Sequence, residues 1–296
     1  MKRRTFIESS VAAAVVSAAS GPLWAAAVPA KHIQPIGLQL YTVRDLMKKD
    51  FDGTIAGVAK IGYKEVEFAG YDGKTPKEVR AVIDQNGLTA PSAHIPMAQI
   101  ENKMPETLEA ANIVGHKYIV CPWFEVKDRT PDGYKKAAET FSKAGEACQK
   151  AGVQFAYHNH GFEFEKTEGL GGKLPLDYLL TETDPKLVKM ELDLCWITVA
   201  GQDPVAYFNK YPGRFPLVHV KDWSKEGTAP KGYDVAVGHP VTEGHIANVG
   251  QGSIDFKRIF AHAEKAGIKH YFVENDEAKG LEDTQISYNY LSKLEA

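Results

Sequence analysis

The chain has 296 residues, 44% hydrophobic and 25% charged, with 35 Lys and Arg against 38 Asp and Glu. This composition excludes a disordered chain, a collagen-like repeat and a multi-span membrane protein. A net charge of −3, with Lys and Arg scattered along the chain, argues against a surface built to follow a nucleic-acid backbone. The length suits one large α/β domain with a substantial core. Cys121, Cys148 and Cys195 form no CxxC pair and read as buried or free thiols.

Residues 1–27 read as an address rather than as fold. Lys2-Arg3-Arg4 make a basic start, and Val11 to Ala19 form a run too short and too weakly apolar to anchor in a bilayer. Gly21-Pro22 break the run, and Ala25 to Ala27 offer small residues to a peptidase. Arg3-Arg4-Thr5-Phe6-Ile7 resembles the twin-arginine export motif; the alternative is an ordinary secretory signal with two arginines by chance. Residues 28–296 are then expected to be the mature, periplasmic domain. Removing Lys2, Arg3, Arg4 and Glu8 leaves it at −5. No cysteine lies near the cleavage region to carry a lipid.

Apolar runs of strand length follow at Ile36–Tyr41, Lys64–Ala69, Thr89–Ile95, Tyr118–Pro122, Val153–His160, Val188–Leu194, Phe215–Val220 and His270–Glu274. Helical patterns separate them. Thr75-Pro76 opens a helix to Asn86, closed by Gly87. Over Pro131–Ala151, Tyr134, Ala138, Phe141, Ala144 and Cys148 recur at helical spacing. Strand-then-helix repeated eight times predicts a (β/α)8 TIM barrel. The rival, a doubly wound sheet, would carry a Gly-rich turn after its first strand, and Tyr41-Thr42-Val43-Arg44 is no such turn. The long gap before the last strand, Ser224–Gly250, is rich in Gly, Pro, Thr and His and is expected to be a loop over the barrel mouth.

Period-two alternation sorts each strand into two faces. Phe155 and Tyr157 oppose Ala156, His158 and His160. Leu192 and Leu194 oppose Glu191 and Asp193, and Val218 and Val220 oppose His219 and Lys221. Tyr271 and Val273 oppose Glu274 and Asp276, Val66 and Phe68 oppose Glu65 and Glu67, and Ser92 shares a face with His94. The apolar set should meet the helices and the titratable set the barrel axis, near the strand C-termini where such barrels carry their sites. Burying that many ionisable groups is costly unless they pair or bind a cation. His158, Asp193, His219 and Glu274 converge from four strands. Two imidazoles and two carboxylates suit a borderline divalent ion such as Zn²⁺, Mn²⁺ or Co²⁺ better than Ca²⁺.

Several segments together resemble the sugar phosphate isomerase/epimerase branch of the xylose-isomerase-like TIM barrels. They are Gly37-Leu38-Gln39-Leu40-Tyr41-Thr42-Val43-Arg44, Tyr157-His158-Asn159-His160-Gly161-Phe162-Glu163-Phe164, Glu191-Leu192-Asp193-Leu194, His219-Val220-Lys221-Asp222, Val249-Gly250-Gln251-Gly252-Ser253-Ile254-Asp255-Phe256 and Val273-Glu274-Asn275-Asp276. The resemblance implies one divalent ion held by Glu, Asp, His and Glu. Asp193, His219 and Glu274 match that set. The family's strand-five Glu falls on His158, so the first carboxylate of the two-glutamate proton relay is missing. Trp196 stands where some epimerases carry a histidine.

The chemistry so implied is proton abstraction beside a carbonyl, assisted by the ion. Return of the proton is epimerisation or isomerisation; loss of a β-leaving group is elimination. The expected activity is an exported, divalent-metal-dependent isomerase/epimerase acting on an unphosphorylated keto-sugar. The alternative is a lyase or hydratase acting on 3-keto-glycosides, and a further one is a non-catalytic periplasmic sugar-binding protein. His160 is the candidate base, with Glu163 beside it, more as an orienting group than as a reactant. Glu67, His94 and Lys221 are candidate substrate-binding residues, and Trp123, Trp196 and Trp223 candidate stacking partners for a sugar ring. Abasic-site nucleases share the barrel, but a mature charge of −5 disfavours nucleic acid as a partner. Stable membrane insertion is not expected. Related barrels often pair through helices or loops, which leaves homo-oligomerisation open.

Overall fold

The computed structural model describes residues 32–295, so the export reading of residues 1–27 lies outside the described residues. Ten strands follow in chain order: β1 Ile36–Gln39, β2 Glu65–Phe68, β3 Thr89–His94, β4 Tyr118–Cys121, β5 Gln154–His158, β6 Val188–Asp193, β7 Leu217–Val220, β8 Asp222–Thr228, β9 Glu243–Ala247 and β10 His270–Val273. Eight of them, β1 to β7 and β10, close into one barrel, with every neighbouring pair parallel and β1 paired to both β2 and β10. This is the (β/α)8 TIM barrel that the alternation of strand and helix predicts.

The apolar strand face packs outward against the helices, where Val66, Phe68, Phe155, Tyr157, Leu192, Val218 and Val273 join one continuous core. A separate small cluster of Tyr118, Val120, Ala156, Leu217 and Phe272 comes from the opposite strand face and fills the interior. Gly37 belongs to that inner face, and any Cβ there would stand 2.5 Å from the Phe272 ring. A side chain at position 37 and a phenylalanine at 272 cannot share the space.

Local signals set the helices. Pro76–Gln85 begins with a capping box: Glu78 N donates to Thr75 Oγ1, and Thr75 N donates to Glu78 Oε2 at 2.8 Å. The helix Pro131–Lys150 is capped by Thr130 and buries Tyr134, Ala138, Phe141, Ala144 and Cys148, the residues its spacing singles out. Gly152 then turns the chain into β5 at φ +75°, a conformation open to glycine at little cost.

The segment expected to be a loop is folded. β8 and β9 form an antiparallel hairpin, with Trp223 opposite Ile246 and a short helix at Tyr233–Val237 between the strands. Trp223 and Ile246 are buried whereas Lys225 and Glu226 are exposed, so the strand lacks an apolar stripe long enough to betray it. Its root is held by Asp222. One carboxylate oxygen accepts from the amides of Trp223 and Ile254, the other from those of Gly250 and Gly252. No helix among the described residues is long and apolar enough to cross a membrane.

Candidate active site

The inner strand faces bring an ionised network to the C-terminal end of the barrel. His219 is its hub. Its Nδ1 lies 2.8 Å from Glu274 Oε2, and its Nε2 lies 2.8 Å from Glu67 Oε2 and 3.2 Å from Glu191 Oε2. Glu67 also accepts from Gln39 Nε2 at 2.7 Å and Ser92 Oγ at 2.5 Å. His94 Nε2 is 2.7 Å and His158 Nδ1 is 3.3 Å from Glu191 Oε2. Lys221 Nζ reaches Glu274 at 2.7 Å, Asp276 at 2.8 Å and Asp193 at 3.3 Å. Asp193 Oδ1 accepts from the amides of Cys195 and Trp196, capping the helix Leu194–Val199 and fixing the carboxylate.

Burial and neighbouring charge pull these groups apart. Burial opposes a charge on His219, but Glu191 and Glu274 outweigh it and hold its pKa well above the ordinary histidine value. Burial, reinforced by His219, pushes His158 down to about 3. Burial, with His158 and Lys221 nearby, holds His160 well below its usual value and therefore neutral. Burial lifts Asp193 to about 6 against the pull of Lys221. Burial would lower Lys221, yet Asp276 and Glu274 keep it firmly protonated.

Two overlapping donor sets have the spacing of a metal cage: His158, Asp193, His219 and Glu274, and below them His94, His158, Glu191 and His219. The first is the set that the sequence pattern brings together. Mixed imidazole and carboxylate donors fit a borderline divalent ion. His158 Nδ1, Glu191 Oε1 and Asp193 Oδ2 are buried without a hydrogen-bond partner among the described residues. Five carboxylates, Glu67, Glu191, Asp193, Glu274 and Asp276, share this region with three cationic groups, Lys221, His219 and His94. A bound dication would answer both the orphaned atoms and the remaining negative charge.

Above the network lies a cavity of about 420 Å³. His94, His158, His160, Lys221 and Glu274 line it, as do Asp276, Trp123, Trp196 and, from the hairpin's helix, Tyr233 and Ala236. Trp223 packs on Tyr233 instead, ring centroids 5.5 Å apart, and is not part of the lining. Glu67 is not among the lining residues; it is hydrogen-bonded to Gln39 and Ser92 and lies against His219 and His94. Glu163 also stands back from the cavity: fully buried, it accepts from Tyr157 Oη and from the His160 amide. Its geometry positions His160. Burial pushes its own pKa up to about 7.

Sequence reasoning gave no role to Gln39, Glu191, Asp276, Arg129 or Tyr233. Glu191 shares the inner face of β6 with Asp193, so strand parity held the signal. Gln39 follows Gly37 on the inner face of β1. Arg129 carried no such signal: its Nη1 donates to Val235 O at 2.6 Å while its guanidinium lies 3.4 Å from the Phe162 ring centroid, tying the hairpin's helix to the cavity wall.

The family described as Xylose isomerase-like TIM barrel matches residues 55–291. An inosose dehydratase of Lacticaseibacillus casei is 27% identical over 274 residues, covering 83% of this chain and 90% of its own length. A crystal structure described as a sugar phosphate isomerase/epimerase from Parabacteroides distasonis superposes with a TM-score of 0.68 at 26% identity, covering 90% of this chain and 95% of that one. A structure of the IOLI protein with a bound zinc atom superposes at 0.64 and 13% identity over 88% of this chain and 99% of that one, a likeness of fold alone. The sugar-active relatives and the imidazole–carboxylate cages together support a metal-assisted enzyme acting on sugars.

Proposed function

The chain belongs to the xylose isomerase-like TIM barrel family, and on that premise we propose that it is a metal-assisted lyase of the dehydratase type. Its substrate in this reading is an unphosphorylated cyclic keto-sugar or a keto-glycoside. The observation that carries the reading is the unlike pair in the cavity. His160 is a neutral imidazole lining the cavity, its ring centroid 6.1 Å from that of Trp196, and Lys221 is an ammonium whose Nζ lies 5.3 Å from the centroid of the same ring. An epimerase that works from both faces of one carbon calls for matched bases, and here Glu274 is committed to His219 and Lys221. A base and an acid lining one cavity suit elimination. The inosose dehydratase relatives, which match across most of the chain, support the same choice over isomerisation.

A divalent ion held by His158 and His219 with the cage carboxylates would supply Lewis-acid polarisation of a ketone and so acidify the adjacent C–H. The His160 imidazole takes that proton, and the C–H electron pair becomes the new C=C bond. The β C–O bond breaks, and Lys221 gives its proton to the departing oxygen, which leaves as water from a cyclic polyol or as an alcohol from a glycoside. Trp123, Trp196 and Tyr233 offer flat faces to the ring and exclude solvent. Lys221 is the one Lys or Arg among the lining residues and is already shared by three carboxylates, so the lining has no side-chain cation to spare for a phosphate.

The test is incubation with a 2-keto-inositol and with 3-keto-glucosides in deuterated buffer, followed by ultraviolet absorption and mass spectrometry. A conjugated ketone with loss of water or alcohol is expected. Deuterium uptake without such loss would instead establish isomerase or epimerase chemistry, the second reading, which the Parabacteroides distasonis relative favours. The proposal extends to export through residues 1–27. N-terminal sequencing of the periplasmic protein should begin near Val28, and an uncleaved cytoplasmic chain would refute it.

A further inference from the structure

The two cages share His158 and His219, so the position of the ion decides what the other carboxylates do. This inference rests on the metal-assisted reading above. In the upper cage a cation is already in place. Lys221 Nζ lies 2.7 Å from Glu274 and 3.3 Å from Asp193, the two carboxylates of that set, and is almost fully buried. A dication on the same two carboxylates would face that ammonium at close range with little solvent between.

The lower cage holds no lysine. His94 Nε2, His158 Nδ1 and His219 Nε2 stand 2.7, 3.3 and 3.2 Å from a single oxygen, Glu191 Oε2. Donors bonded at zinc-like distances at the corners of a tetrahedron lie about 3.3 Å apart. The three rings crowd together, with centroids 4.3 to 5.3 Å apart. Glu274 takes the other nitrogen of His219 at 2.8 Å, the arrangement by which a carboxylate orients a metal-bound imidazole. Glu67 Oε2, 3.3 Å from His94 Nε2 and 2.8 Å from His219 Nε2, is placed as a fifth oxygen donor. His158 Nδ1 and Glu191 Oε1 have no hydrogen-bond partner among the described residues.

We propose that the resident ion is held by His94, His158, Glu191 and His219, one layer deeper than the carboxylate-rich cage, and that Lys221 is the cation of the upper cage. The histidine at position 158 then becomes intelligible: it adds a nitrogen to the lower set, where His94 supplies another. His94 and His158 also line the cavity, so the ion stays within reach of a substrate oxygen, while Asp193 and Glu274 hold Lys221 in place.

The experiment measures Co²⁺ binding by the full-length protein, by equilibrium dialysis and by the visible spectrum of the bound ion. Glu191→Gln and His94→Gln should weaken binding by more than about 100-fold, and Asp193→Asn by less than about 5-fold. The reverse order overturns the assignment. A wild-type crystal soaked in CoCl₂ keeps the test open should a variant fail to fold. Its anomalous peak should lie among the three imidazoles, and a peak between Asp193 and Glu274 refutes the deeper site while leaving the metal-assisted reading intact. A wild-type protein that binds no Co²⁺ defeats both.

Discussion

The two ends of the barrel interior are built from the same residue types and behave differently. At the N-terminal end His270 Nδ1 meets Glu65 Oε2 at 2.8 Å, the edge-on ring of Tyr118 lies 5.4 Å away, and the apolar cluster of Val120, Ala156, Leu217 and Phe272 lies alongside. One acid faces one imidazole, and apolar side chains close the space. At the C-terminal end a single imidazole, His219, serves three carboxylates, and buried donors and acceptors are left over. A His–Glu contact inside a barrel is therefore no mark of function by itself. The surplus is: more charge than the local pairs neutralise, beneath an open cavity.

The strongest way to break this comparison is to delete the histidine at each end. His219→Ala leaves Glu67, Glu191 and Glu274 facing one another and should cost about 3–5 kcal/mol in metal-free protein. His270→Ala removes one partly exposed partner and should cost about 1–2 kcal/mol. Urea unfolding in the presence of a chelator measures both, and equal losses would dissolve the distinction. A pH-dependent effect sharpens it. The folded-state pKa of Glu163, pushed up to about 7 by burial from an ordinary 4.5, means that the folded chain keeps a proton the unfolded chain releases. Stability from this group is complete below pH 4.5 and is lost as pH rises through 7, a loss of about 3 kcal/mol for a fully buried group. Glu163→Gln should flatten that part of the stability–pH curve. An unchanged slope between pH 5 and 8 would show that burial does not control this carboxyl.

Which residues face inward was legible because side chains alternate with period two whatever the barrel's size. Glu67, His94, His158, His219 and Lys221 could all be placed on the axis that way. Height along the axis was not legible, because it depends on the stagger between neighbouring strands. Glu191 and Asp193 share a face, and only the register of β6 against β5 and β7 puts Glu191 level with His158 and Asp193 level with His219. The resemblance drew attention to Asp193, and the deeper layer escaped notice. The hairpin was hidden for another reason. Gly, Pro and charged residues dominate it, and its order comes from Asp222 and the buried Trp223–Ile246 pair rather than from any periodic stripe.

Asp222 follows Lys221 directly, and its four amide contacts are the fastening between the barrel and the cavity's cover. A cover held at its root by one carboxylate and at its helix by Arg129 is a module in the evolutionary sense. Its sequence can drift, lengthen or be exchanged between relatives while the strand beneath keeps its register. Reaction type and substrate range would then be inherited separately, the first with the strands and the second with the hairpin that roofs them.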